Sequence, residues 1–144
     1  MEEQIFLGVT WTLLTTGVAV AFIVSIPELI PGIANIFDSF SRFLRDAGVL
    51  LFAVSWLLIG IMAVVVAWAS LFWWRGEFSS IEDVLYFSAV SVTTVGYGDI
   101  VVTSESRLLA GFAAANGFLV FGLDTAALYD VLVRLRSETQ SSTI

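Results

Sequence analysis

From Ile5 to Ile26, and again from Val49 to Trp74, the chain has no charged side chain. A helix needs about 20 predominantly apolar residues to cross the roughly 30 Å of bilayer hydrocarbon, and both stretches are long enough. A third, from about Ser106 to Leu135, is of similar length and holds Asn116, Asp124 and Asp130 in its interior. Composition agrees. Of 144 residues, 58% are apolar and 13% charged, against about 25% charged in a soluble domain. The reading is an all-α integral membrane protein with three transmembrane helices per chain.

Much chemistry is excluded at once. Cys and His are both absent, which removes disulfides, thiolate nucleophiles, haem attachment, imidazole zinc sites and acid–base work by His. Six Arg against 13 acids leave a net charge of −7 and no basic patch for nucleic acid. Neither an enzyme nor a cofactor-binding protein is expected.

The first stretch opens on Met1-Glu2-Glu3-Gln4, acidic where a cleaved signal is basic, so it reads as a span. Its hydroxyls (Thr10, Thr12, Thr15, Thr16 and Ser25) suit bonding to their own backbone or to a neighbouring helix. Trp68, Phe72, Trp73 and Trp74 read as a cluster at a water interface. Pro27 and Pro31 predict the end of the first helix. Beyond them Ile33, Ile36, Phe37, Phe40, Phe43, Leu44 and Ala47 recur at helical spacing, with Asp38, Arg42 and Arg45 elsewhere. That pattern suits an amphipathic helix lying in the interface, or else a plain connecting loop. The resulting division is a first span over 1–28, an interfacial segment over 29–48, a larger module over 49–136 and a polar tail, expected to fray, over 137–144. Within the module the expected parts are an outer helix 49–74, a short helix 80–93, a loop 94–99 and an inner helix 105–136.

The short helix and loop are spelled SIEDVLYFSAVSVTTVGYGD over 80–99. Ser80-x-x-Asp83 is a capping-box-like start, and Glu82 with Asp83 sets negative charge at the positive helix end. Such a helix is about 18 Å long, too short to cross, and Gly96-Tyr97-Gly98 cannot continue it. Irregular backbone at membrane depth requires burial in protein or a watery cavity, so the segment predicts a re-entrant loop.

Thr93-Thr94-Val95-Gly96-Tyr97-Gly98-Asp99 resembles the selectivity filter of tetrameric potassium channels. TVGYG arises by chance about once in ten thousand chains of this length. The resemblance implies that the carbonyls of Thr94, Val95, Gly96 and Tyr97, with the Thr94 hydroxyl, bind K⁺, and that Gly98 completes the filter. Gly96 and Gly98 would adopt the handedness that a Cβ opposes, with Val95 and Tyr97 pointing outward. Asp99, Tyr86 and Thr93 would support the outer mouth, Tyr86 as a hydrogen-bond donor toward the filter. One loop is a quarter of a ring, so a homotetramer follows, or a heterotetramer with related chains.

The run Asn116–Leu128 is similar to the inner helix of the simplest bacterial potassium channels, Gly122-Leu123 and Thr125-Ala126-Ala127-Leu128 most closely. By that likeness Asn116, Gly117, Phe121, Gly122, Asp124, Thr125 and Leu128 belong to the cavity and gate. Gly117 or Gly122 would be a hinge or a close-packing point. Asp124 would form an acidic ring facing the pore, or bond a hydroxyl or Arg of an adjacent helix. With the filter outside, the N-terminus lies outside and the C-terminus in the cytoplasm. Arg42, Arg45, Arg134 and Arg136 are then inside and only Arg75 and Arg107 outside, as the positive-inside rule prefers.

The expected function is passive K⁺ conduction across a cell membrane, that of a bacterium by the likeness, with lipid, K⁺ and identical chains as partners. A regulatory subunit of a heteromeric channel and a K⁺ transporter subunit are the alternatives. The first span has no regularly spaced Arg, so a voltage sensor is not expected.

Overall fold

The computed structural model describes residues 1–37 and 41–141. Every regular element among them is an α-helix: α1 (Glu2–Ile36), α2 (Arg42–Trp74), α3 (Ile81–Val92) and α4 (Arg107–Ser141). Two of these, α1 and α2, are long and apolar enough to cross a membrane. At 1.5 Å per residue each of the three long helices is about 50 Å, well beyond the hydrocarbon thickness.

The prolines do not end the first helix: α1 runs through both Pro27 and Pro31. The rings lie one turn apart on the exposed side, where each removes one backbone N–H from the ladder. Over the same stretch Ile26 and Ala34 are buried with Val49, Ala53, Leu57, Val131 and Leu135. A continuous helix keeps those contacts, and membrane helices tolerate such prolines. The interfacial helix over 29–48 is likewise corrected. Ile33 and Ile36 finish α1, whereas Phe43, Leu44 and Ala47 begin α2. At the turn the Phe37 ring lies over Gly48, about 3.0 Å from where a Cβ would stand. Asp38 and Phe40 are outside the described residues. The tail expected to fray from Ser137 stays helical to Ser141, and 142–144 are outside the described residues.

α1 packs along α2 and α4, and α3 is wedged between α2 and α4; α1 and α3 make no contact. The core around α3 is aromatic. Phe87 meets Phe72 edge-on with ring centroids 5.2 Å apart, and Trp68 stacks on Phe72 at 5.9 Å. Trp68 and Phe72 are therefore fully buried rather than interfacial, leaving Trp73 and Trp74 as the exposed pair. Burial of aromatic side chains of this size is the largest single hydrophobic contribution a small core can have.

Candidate functional site

α3 begins where Ser80 accepts a hydrogen bond from the Glu82 amide at 3.2 Å, with Glu82 and Asp83 in its first turn. It ends at Val92, and the chain then folds back on that end. The amides of Val95 and Gly96 both donate to the Val90 carbonyl, at 3.0 and 3.2 Å, and the Thr94 amide donates to Ser91. The Thr93 hydroxyl donates to the Ala89 carbonyl at 2.7 Å. The amides are thus consumed by the helix end. Among the described residues no hydrogen bond reaches the carbonyls of Thr94, Val95, Gly96 or Tyr97.

Backbone handedness alternates along the same stretch: φ is +60° at Thr94, +57° at Gly96 and +77° at Gly98, and negative between them. Alternation of this kind turns successive carbonyls to one side. Glycine takes positive φ without steric cost; Thr94 takes it against the preference of a β-branched residue. Val95 and Tyr97 are 53% and 72% exposed on the single chain.

Two polar contacts tie this loop to its surroundings. The Tyr86 hydroxyl donates to Asp99 at 2.8 Å, bridging α3 to the residue after Gly98. That bond holds the Asp99 carboxyl below its ordinary value. The second was missed in the sequence. The Glu77 carboxylate accepts from the Thr103 amide at 2.8 Å, the Thr103 hydroxyl at 3.1 Å and the Ser106 hydroxyl, and Arg75 donates to Ser106 at 3.1 Å. It staples the chain entering α3 to the chain leaving the loop. Burial pushes Glu77 up, but the bonds from Ser106 and Thr103, helped by Arg75, outweigh it and bring the group below its ordinary 4.5. A lowered carboxylate stabilises above its unfolded value and loses that contribution as pH falls through the folded one. Acidification below about pH 4.5 is therefore expected to lower the amide protection factors over 100–106, with Glu77→Gln already loose at neutral pH. Protection factors that are flat with pH in the native protein would contradict this role.

The inner-helix residues divide between two sides of α4. Asn116 does not line a cavity. It is fully buried, with its Oδ1 accepting from Thr15 at 2.7 Å and Trp68 at 2.9 Å and its Nδ2 donating to Thr16 at 2.8 Å. Gly117 faces the end of α3: a Cβ there would stand 1.7 Å from the Val92 carbonyl oxygen. Gly122 meets nothing within 4 Å. Thr125 is exposed, its hydroxyl donating to Phe121 at 2.8 Å.

Asp124 is likewise corrected as a pore-facing group. It is 7% exposed and sits in a cleft of about 180 Å³ with Val54, Leu57, Leu58, Ile61, Phe121, Thr125 and Leu128. Its Oδ2 has no partner among the described residues. Asp124 stands eight residues after Asn116, about 80° further round the helix, and there α2 covers it through Val54, Leu57, Leu58 and Ile61. A buried polar atom without a partner costs about 1–3 kcal/mol. Asp124→Val is expected to raise the melting temperature accordingly and leave block by internal Mg²⁺ unchanged. A lower melting temperature would mean the carboxylate has a partner.

These elements match a known family. The model of the family described as "Ion channel" fits residues 60–134, which runs from mid-α2 through α3 and the loop to α4. That is half of the chain, and the chain belongs to this ion channel family. An all-helical membrane protein of a channel class follows, not an enzyme class. Two curated relatives are plant proteins. The chain is 45% identical over 56 residues to "Two-pore potassium channel 1" of Arabidopsis thaliana, covering 38% of this chain and 15% of that one. It is 36% identical over 90 residues to "Two pore potassium channel a" of Oryza sativa subsp. japonica, covering 62% and 25%. The matched region thus spans a quarter or less of either relative's length. No solved structure matches. The plant sources lend nothing to a bacterial membrane.

Proposed function

We propose that this chain is one subunit of a potassium-selective channel in which four copies of Thr94–Gly98 surround a shared axis. The observation that supports it most is the alternating backbone handedness from Thr94 to Gly98 with amides tied back to Val90. This frees neutral carbonyl dipoles to replace the water of a dehydrated cation, and carbonyls release a monovalent ion where full charges would hold it. The relatives bear the name of potassium channels. Large exposed side chains at Val95 and Tyr97 suit burial against neighbouring copies, and the C-terminal ends of four short helices would favour a cation between them.

In this arrangement α1, α2 and α4 span the membrane and the loop lies at the outer face. Glu3 is 3.5 Å from Arg75, so the start of α1 shares the loop's side of the molecule. The N-terminus is then outside and the C-terminus cytoplasmic. Lipid would cover the outer helix faces, Gly122 is left as the candidate hinge, and K⁺ is the permeant ligand.

The test is flux into liposomes containing the purified protein, with its subunit number measured by native mass spectrometry. Ba²⁺-sensitive K⁺ flux through a tetramer, with Na⁺ excluded, is the expected result. Equal passage of Na⁺, or an assembly without fourfold stoichiometry, overturns the reading. A silent tetramer would instead assign the chain to a regulatory subunit.

A further inference from the structure

α1 lies outside the family-matched region 60–134 and makes no contact with α3, yet it holds the residue that seats α3. That residue is Asn116. The Trp68 indole N–H is a donor only, so the amide oxygen must be the atom facing it, which turns Nδ2 toward α1. There Thr16 accepts from Nδ2 at 2.8 Å, and Thr15 donates to Oδ1 at 2.7 Å. Thr15, Trp68 and Asn116 are buried and Thr16 is half-buried, and away from water an unmet amide is costly while a satisfied one specifies a single arrangement. The contact therefore fixes how far α4 is turned about its axis.

The next residue is Gly117, and its backbone lies against the Val92 carbonyl, the last residue of α3. Two positions later the chain enters Thr94–Gly98, whose amides at 95 and 96 hang on the Val90 carbonyl one turn back. Any rotation of α4 that moves Asn116 also moves Gly117 against the end of α3. Trp11 strengthens the anchor from α1, its indole donating to the Ala67 carbonyl of α2 at 3.1 Å, one residue before Trp68.

We infer that Thr15, Thr16 and Asn116 are positioning residues through which α1 sets the end of α3 and, with it, the backbone of Thr94–Gly98. None of them would touch a permeating ion. The inference adds a role for α1 to the proposed function, and rests on that reading for its consequence in conduction. The geometry itself is tested without any ion flux.

The experiment is hydrogen exchange, followed by mass spectrometry, on the full chain in lipid nanodiscs. Thr15→Val with Thr16→Val removes both hydroxyls at nearly constant volume. Exchange over 92–98 is expected to quicken about tenfold, while 131–135 in the second core remains as in the native protein. Thr15→Ser with Thr16→Ser keeps the hydroxyls and is expected to retain native exchange. Should the valine pair fail to fold, Trp68→Phe removes the indole donor to Oδ1 and is expected to quicken the same peptides. Native protection at 92–98 in the valine pair overturns the inference. So does loosening spread evenly over all helices, which would make the clasp merely structural. A wild-type protein that conducts unselectively would instead overturn the proposed function and leave this test standing.

Discussion

Gly117→Ala is expected to abolish the native packing of α4 on α3 and all conduction with it. The added methyl would stand 1.7 Å from the Val92 oxygen, 2.6 Å from its carbonyl carbon and 2.9 Å from its Cα. All three are backbone atoms, so no rotamer change relieves the clash. The helices must separate, uncovering Val92, Leu109 and Val120, which are now almost wholly buried. Overpacking of an ordinary core costs about 1–3 kcal/mol, and a contact this short with backbone lies at or beyond the top of that range. Thermal unfolding of the purified variant checks it, with Gly122→Ala as the control. Gly122 has open space around it, and alanine there is favoured by about 1 kcal/mol in helix propensity. A melting temperature for Gly117→Ala equal to the native one would show that the two helices are not seated as described.

Gly96→Ala is expected to do the reverse: to leave the helices intact and end K⁺ flux. No atom lies within 4 Å of a Cβ at Gly96 in the single chain, and φ there is +57°. The penalty is therefore conformational, about 1–2 kcal/mol for each L-residue forced into the left-handed region. Four copies in one assembly would each bear it. The backbone relaxes by turning the Gly96 peptide, and a carbonyl that leaves the axis no longer coordinates. Flux and melting temperature measured on the same preparation separate the two effects. Selective K⁺ flux through Gly96→Ala would remove the main support for the proposed function.

Sequence and structure agree most closely where the signal is local. Ser80, Glu82 and Asp83 mark the start of α3 within a few residues of one another, and the amide of Glu82 does bond to Ser80. The positions where Thr94–Gly98 turns left-handed include both of its glycines. They disagree where a local rule met a longer-range contact. Pro27 and Pro31 are helix breakers by themselves, yet α1 stays helical past them, with Ile26 and Ala34 buried against α2 and α4. Phe43 looked like one apolar stripe with Ile33 and Ile36, but Ile33 and Ile36 belong to α1 and Phe43 to α2. Glu77, Thr103 and Ser106 gave no signal, since three hydroxyl and carboxyl residues up to 29 positions apart are ordinary loop composition.

The inner helix shows the division most plainly. Both faces of α4 are apolar, as lipid and protein make the same demand on side chains, so its polar residues did not reveal which way they faced. What the amino-acid order determined was the membrane class, the capped short helix and the glycine spacing of Thr94–Gly98, because each depends on neighbours along the chain. The tertiary structure alone decided that Asn116 and Asp124 turn inward and that Gly117 is the point of closest approach. Those outcomes depend on the rotation of α4, which is set by partners such as Thr15, 101 positions away.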